Sequence, residues 1–505
     1  MKKFIIAVGI MMLATLVQAQ NEYDAVRFSQ TYQQGTARSA AMGGAFGALG
    51  GDLSVTAINP AGMSIYRGAE LCLTPIVFNN KVKSTLNERG DEDNMFNFKF
   101  ANVGFIMGYD RGETTGFTNF AWGITYNMLN DFSANERLGA FNNSSSMLDA
   151  WQKRSNDGDF SYFTNELALS ANDTIRDSRG DIMNIKNAQL LRWDDVDDRC
   201  YSPHDVNWDG DATGKYGEYQ SRYVTQKGGI GTWDFAISGA YNNMFFFGAS
   251  LGVQHVRYKY TSHYHEDDKN NVAPYQYWDF IEKRKVNGNG INLKVGFVVK
   301  PINFLRLGAA FHTPTVYSLS EKYGTTIRDQ FDNGFYGEAE HKDYEPYDYK
   351  LTTPMKGILS AAFIIPGYGL VSFDYEAVNY NKAKFQMDDF DNDDWLTLKN
   401  DYIKDKFQKT NNFRLGLEGL AGPVSIRAGY ALYGNPYKFV SGNKQRQIFS
   451  FGLGFKITAD CYIDVTGTYH IYQTDAVLYE WADKMQKYNY DNRYLNVMAT
   501  FGIRF

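Results

Sequence analysis

From residue 69 to the last residue, this chain repeats stretches of roughly ten residues in which every second side chain is large and apolar. From Thr118 to Met128, one face carries Phe120, Trp122, Ile124, Tyr126 and Met128, and the other carries Asn119, Ala121, Gly123, Thr125 and Asn127. Ile291, Leu293, Val295, Phe297 and Val299 repeat the pattern, as do Leu495, Val497, Ala499, Phe501, Ile503 and Phe505. A strand that meets lipid on one face and a lumen on the other has this alternation, and about 9 to 11 tilted residues cross a bilayer. Fourteen such segments begin near residues 69, 96, 117, 233, 245, 286, 303, 349, 368, 410, 423, 445, 460 and 493. An open sheet edge in hydrocarbon would leave backbone groups unbonded, so the expected fold is all-β: a closed, 14-stranded antiparallel transmembrane β-barrel.

The connections test this reading independently. Short links at 111–116, Asn242-Asn243, Pro301-Ile302, Pro366-Gly367, Ala421-Gly422 and Thr458-Ala459 alternate with long ones. The long links fall at about 80–95, 130–232, 263–285, 318–348, 386–409, 436–444 and 474–492, and 130–232 is the longest. Such alternation of short periplasmic turns with long outer loops places both chain ends in the periplasm. Aromatics make up 16% of the residues while mean hydropathy is only −0.43, which excludes a helical membrane protein and suits half-polar barrel strands.

Lys2 and Lys3 precede an apolar run from Phe4 to Val17 and a small residue at Ala19, the pattern of a secretory signal peptide over residues 1–19. No cysteine follows it, which argues against a lipid anchor, and the expected location is the outer membrane of a Gram-negative cell. Cys72, Cys200 and Cys461 are too scattered for a disulfide framework, although a Cys72–Cys461 pair stays open. A net charge of −6 argues against a nucleic-acid partner.

Residues 20–68 do not alternate. They hold the small-residue run GTARSAAMGGAFGALGGDLSVTAINPAGM, Gly35 to Met63, which suits close packing and sharp turning. A barrel of this size has a lumen that its own side chains cannot fill, so such a segment ahead of the barrel (69–505) is read as a plug, or hatch. This block, with Asn59-Pro60-Ala61 just before the first strand, the hairpin KPINFLRLGAAFHTP around Pro301, the strand count and the terminal Phe505 resemble the long-chain fatty acid and aromatic-hydrocarbon channels of the FadL/TodX type. The resemblance covers the mature chain, but only the hatch block and that hairpin are specific to it.

The resemblance implies passive uptake of a hydrophobic molecule to an internal pocket, a hatch that shifts, and lateral release through an inward kink in the third strand. Asn59, Pro60 and Ala61 are the hatch motif, and Gly123 is the candidate kink, although a glycine there serves equally as a small lumen residue. Phe28, Tyr32 and Phe46 are candidate ligand contacts, with hatch packing as their alternative role. An apolar pocket needs no ATP, since each CH₂ removed from water gains about 0.8 kcal/mol. Barrels that end as this one does in Phe505 resemble substrates of the outer-membrane assembly machinery, and a monomer is expected.

Other constellations compete with this reading. Asp205, Asn207, Asp209 and Asp211 match the start of a calcium loop, but Tyr216 stands where a bidentate glutamate belongs. Asp194, Asp195, Asp197 and Asp198, and the run from Asp388 to Asp394, either hold cations that bridge lipopolysaccharide or keep loops soluble. His263 and His265 share a strand face and are candidate ligands for a metal or haem iron, which keeps a haem receptor open; a plain porin is the other alternative. The glycine run Gly43 to Gly51 lacks the Lys-Ser/Thr of a phosphate loop. His255, His312 and His470 are candidate bases with no marked nucleophile, so no catalysis and no cofactor beyond structural calcium are expected.

Overall fold

The computed structural model describes residues 22–32, 34–86, 89–156, 190–194, 199–205, 216–342, 346–387, 393–438, 444–481 and 484–505. The expected signal peptide and the candidate calcium residues Asn207, Asp209 and Asp211 lie outside them.

Fourteen strands form the wall. They are β1 (Ala69–Leu86), β2 (Arg89–Asp110), β3 (Phe117–Asp131, continued by Ala134–Asn142), β4 (Glu218–Tyr241), β5 (Phe245–Asp267), β6 (Tyr275–Ile302) and β7 (Leu305–His312, continued by Val316–Phe331). Then follow β8 (Tyr347–Thr352, continued by Lys356–Ile365), β9 (Gly369–Asn379, continued by Lys384–Gln386), β10 (Lys409–Ala421), β11 (Val424–Tyr433), β12 (Arg446–Lys456), β13 (Cys461–Trp481) and β14 (Lys484–Arg504). Each pairs antiparallel with its neighbour, and β14 returns to β1 with Glu70 opposite Arg504 and Thr85 opposite Asn489. The backbone N–H of Phe505 donates to the Ala69 carbonyl at 2.9 Å, and that of Ala69 donates back at 3.1 Å, which leaves no sheet edge at the seam.

Alternation sets which face meets lipid. Leu71, Leu73, Trp122, Ile124, Ile237, Phe297, Leu359, Phe451, Val497 and Phe501 are exposed on the outer surface, whereas Asn119, Thr125, Asn127, Thr466, Asn496 and Thr500 are buried inside. This apolar band around a closed sheet makes the chain an outer-membrane-type barrel. Links expected as loops at 80–95, 263–285 and 474–492 are instead continued strands, since β1 runs to Leu86, β5 to Asp267 and β13 to Trp481. Beyond the membrane no lipid demands an apolar face, so the ladder persists in polar sequence where alternation fades.

The N-terminal segment lies inside the wall. It comprises helices α1 (Tyr23–Arg27), α2 (Ala37–Ala41) and α3 (Val55–Ile58) and a 3₁₀ turn, Pro60–Ile65. Met42, Phe46, Leu49, Leu53, Val55 and Ile58 are fully or almost fully buried and pack with the inward-facing Ala121, Ala236, Ala310, Ile358 and Ala362 of the wall. Two further helices, α4 (Met147–Asn156) and α5 (Asp393–Lys406), belong to the outer loops. Cys72, Cys200 and Cys461 are all free thiols, so the Cys72–Cys461 pair does not form.

Candidate functional site

The hatch is seated through glycines of the wall. Gly248 and Gly296 face each other across β5 and β6. A Cβ on Gly296 would fall 1.8 Å from Asn59 Oδ1, and one on Gly248 would fall 2.5 Å from the Pro60 carbonyl carbon. Only glycine lets the backbone of Asn59-Pro60-Ala61 approach so closely. Asn59 Oδ1 accepts from the Ala61 N–H at 3.2 Å and caps the 3₁₀ turn, while its Nδ2 donates to the carbonyls of Gly47 at 2.6 Å and Phe297 at 3.2 Å. The motif residue thus ties the hatch to itself and to the wall.

Charged pairs hold the rest. Arg38 Nε donates to Glu418 Oε2 at 2.9 Å, and Arg427 joins Glu418 at 2.6 Å to Asp464 at 2.5 Å. Asp374 accepts the Gly47 N–H at 3.1 Å, and Thr56 shares a 2.6 Å hydroxyl contact with Thr125 of β3. Such groups stay ionised inside a protein only when paired and hydrogen-bonded.

The third strand departs from its neighbour above the hatch. The β2–β3 ladder runs only from Asn102↔Asn127 to Asp110↔Asn119, and the β3–β4 register shifts between Met128 and Asn130. Beyond that point, polar side chains span β2 and β3: Asn97 Nδ2 donates to Ser133 Oγ at 2.8 Å, and Lys99 pairs with Asp131. Gly123, where the kink was expected, instead sits in an unbroken ladder between Ile106 and Ala236. Its missing side chain serves packing, since a Cβ would fall 2.7 Å from Ile106 Cγ1. The hatch reaches the irregular stretch directly: the Tyr32 N–H donates to the Leu129 carbonyl at 2.7 Å, and Asn130 Nδ2 donates to the Gln30 carbonyl at 3.2 Å.

A small cavity of about 30 Å³ opens beside this contact, lined by Phe28, Ser29 and Thr31 of the hatch and by Leu129, Gln254, Asn292, Lys294, His312, Tyr317, Thr353 and Lys356 of the wall. It has room for about two waters, far less than a hydrophobic ligand fills. Lys294 pairs with the buried Asp234, whereas Lys356 Nζ donates to Thr31 Oγ1 of the hatch at 2.6 Å. His312 contacts the Ile58 carbonyl at 2.8 Å. The cavity lies where β7 and β8 are both interrupted, at Thr313-Pro314-Thr315 and Thr353-Pro354-Met355. Proline cannot donate to a ladder, and the Thr353 N–H bonds the Thr315 carbonyl at 2.9 Å around the break.

Of the expected ligand contacts, Phe28 lines this cavity, edge-on to Phe132 at 5.9 Å and Tyr258 at 6.0 Å. Tyr32 and Phe46 do not line it: Tyr32 packs on Tyr433 with Arg446 stacked at 3.9 Å, and Phe46 lies in the hatch core. Lys294, His312, Lys356, Gln254 and Tyr317 were not anticipated as a group. The one signal toward them is the pair of Thr-Pro dipeptides, 313–314 and 353–354, on adjacent strands.

At the outer end, His263 Nε2 and His265 Nδ1 lie 2.8 and 2.7 Å from the same Asp279 oxygen. Burial would raise the Asp279 carboxyl, but its hydrogen bonds with the two histidines outweigh this and hold it down at about 2. Among the candidate bases, His255 lies against Asn289 on the outward face, and His470 is buried against Thr468 and Asn496, so the fold does not bring them to His312. Asp205, the one described residue of the calcium candidate, accepts from the Ser202 N–H at 2.7 Å.

The sequence matches no family model and no curated protein. Solved structures do match over nearly the whole chain. The toluene transporter TodX of P. putida is 12% identical with a TM-score of 0.54, covering 94% of this chain and 99% of that one. The toluene transporter TbuX of Ralstonia pickettii is 13% identical with a TM-score of 0.50, over 94% and 99%. A FadL homologue of Pseudomonas aeruginosa is 10% identical with a TM-score of 0.50, over 94% and 98%. The chain therefore has the fold of the FadL/TodX-type outer-membrane transporters, a fourteen-stranded barrel with its N-terminal segment inside.

Proposed function

We propose that this protein is a passive outer-membrane channel that takes up hydrophobic small molecules, long-chain fatty acids or aromatic hydrocarbons, and releases them sideways between β2 and β3. The observation that carries this reading is the hydrogen bonding of hatch residues 30–32 to Leu129 and Asn130, where the β2–β3 ladder has ended. A ligand that displaces this part of the hatch acts on the wall at the same point. Exit into the bilayer keeps the apolar surface out of water, which release into the periplasm would not. The similarity to toluene transporters supports the ligand class. Lys356, hydrogen-bonded to a hatch hydroxyl at the cavity, favours fatty acids, because an ammonium gains most from a carboxylate head group.

The test joins Asn97 and Ser133, whose side chains touch at 2.8 Å, by an Asn97→Cys/Ser133→Cys disulfide in a chain with Cys72, Cys200 and Cys461 replaced by serine. The oxidised protein is expected to bind radiolabelled oleate or toluene but to lose uptake into cells, and reduction is expected to restore it. If neither ligand binds the unmodified protein, the channel reading fails. Unchanged uptake in the oxidised form would remove the lateral exit alone.

A further inference from the structure

Far from the hatch, the outer loops enclose a second polar centre. His204, Glu218 and Glu266 are all buried, at 5%, 0% and 0% exposure, and each offers one ligand atom within 4.8 Å of the others. Glu218 opens β4, Glu266 lies near the end of β5, and His204 is delivered by the loop after the short strand Arg199–Tyr201. That loop is fixed in place. Gln152 and Asn156 of α4 donate to the Cys200 carbonyl at 3.0 and 3.1 Å, and Asp205 accepts from Gln152 and Ser202. Tyr216 stacks on the imidazole at 5.0 Å.

The polar atoms at this centre are not satisfied by one another. Glu266 is well served, with Tyr275 and Tyr264 hydroxyls donating at 2.8 and 2.6 Å, and the Gly217 N–H donates to Glu218 Oε2 at 2.9 Å. His204 Nδ1 and Glu218 Oε1, however, are buried with no hydrogen-bond partner among the described residues, and they face each other across 3.6 Å. His204 Nε2 stands 3.8 Å from Glu266 Oε1, beyond hydrogen-bond reach, and has the Tyr275 hydroxyl at 3.3 Å. No lysine or arginine among the described residues pairs with either glutamate. A protonated imidazole would offset only one of the two buried carboxylates, and the negative charge that remains is tolerated in a protein interior when a cation is coordinated.

We propose that His204, Glu218 and Glu266 hold one divalent transition-metal ion of the zinc class, which clips the α4 loop to the tips of β4 and β5. An imidazole nitrogen with two carboxylate oxygens suits zinc, which takes nitrogen and oxygen ligands at about 2.0–2.2 Å in four-coordinate sites. Calcium asks for six to eight oxygens, which this centre does not supply. None of the three residues belongs to the calcium-like sequence pattern Asp205, Asn207, Asp209 and Asp211, and His263, His265 and Asp279 form a different, partly exposed group.

The experiment uses the full-length protein, purified in detergent and stripped with chelator, in a His263→Ala/His265→Ala background that removes the histidine pair beside Asp279. Titration with Zn²⁺ alone is expected to give one ion per chain. His204→Ala, and the near-isosteric Glu218→Gln and Glu266→Gln, are each expected to weaken binding by about 100-fold or more. Heat-modifiable migration checks that each barrel is folded, and Glu218→Gln preserves side-chain shape should His204→Ala fail that check. Absence of zinc binding in the background protein, equal binding in the folded variants, or binding of Ca²⁺ in preference to Zn²⁺ would each overturn the proposal.

Discussion

Gly296 shows how one residue without a side chain decides whether a lumen can be filled. With the position of its Cβ 1.8 Å from Asn59 Oδ1, Gly296→Val is expected to unseat the hatch while strand pairing survives. Planar-bilayer conductance is expected to rise, with barrel migration on gels unchanged. Lys356 makes a different prediction. Lys356→Met is expected to weaken oleate binding by about 10- to 100-fold, the worth of a hydrogen bond to a charged group, and to spare toluene. Equal loss of both ligands would show that Lys356 positions the hatch through Thr31 rather than reading a head group. Neither residue announces itself in sequence. Lys294, His312 and Lys356 come from three strands, and each reads singly as an ordinary polar lumen residue. Gly123 misled for the opposite reason: a glycine in a strand suggests a bend, yet here it makes room for Ile106. The actual irregularity lies in Met128-Leu129-Asn130, where no glycine or proline marks it and the trace in sequence is lost alternation.

Among elements, β14 was the most legible, because lipid on one side and a filled lumen on the other enforce period two down to the last residues. Its end refines the expected assembly behaviour. Phe505 is exposed, whereas Arg504 Nε donates to the buried Glu70 at 2.7 Å and Tyr462 donates to the same carboxylate. Phe505→Asp is expected to reduce insertion into outer-membrane vesicles, and Arg504→Gln to leave it near normal. The glutamine keeps the comparison free of a second carboxylate beside Glu70. Equal insertion of Phe505→Asp and Arg504→Gln would refute the inward register assigned to Arg504. The breaks in β7 and β8 were half legible: proline predicts an interrupted ladder, but only pairing shows that the two interruptions are neighbours. Strand lengths were least legible. Once β5 and β6 leave the membrane, their pairing continues from Tyr258↔Val286 to Asp267↔Tyr277 through charged sequence with no lipid to impose a pattern.

For the whole molecule, strand count and closure could be read because each follows from satisfying backbone groups in hydrocarbon. What the hatch touches could not, since contacts such as Ala37 N–H to Thr500 Oγ1 join residues more than four hundred positions apart. Deleting residues 22–62 is expected to leave a folded barrel, because the β14–β1 seam closes without the hatch, and to turn a silent protein into an open pore in single-channel recordings. A deletion variant that inserts yet stays closed would show that the outer loops, not the hatch, seal it. The height of the wall has a consequence of its own. Ile291 is the outermost exposed aliphatic residue of β6, so Tyr275 to Gly290 stand beyond the apolar band, roughly 40 Å at about 3.3 Å per residue with a usual tilt. In the channel proposed above, a rim at that level would work as a snorkel, drawing on the medium beyond the membrane surface rather than on the oily layer beneath it. A sugar coat repels greasy solutes, and a chimney tall enough to pierce it would spare them the crossing altogether.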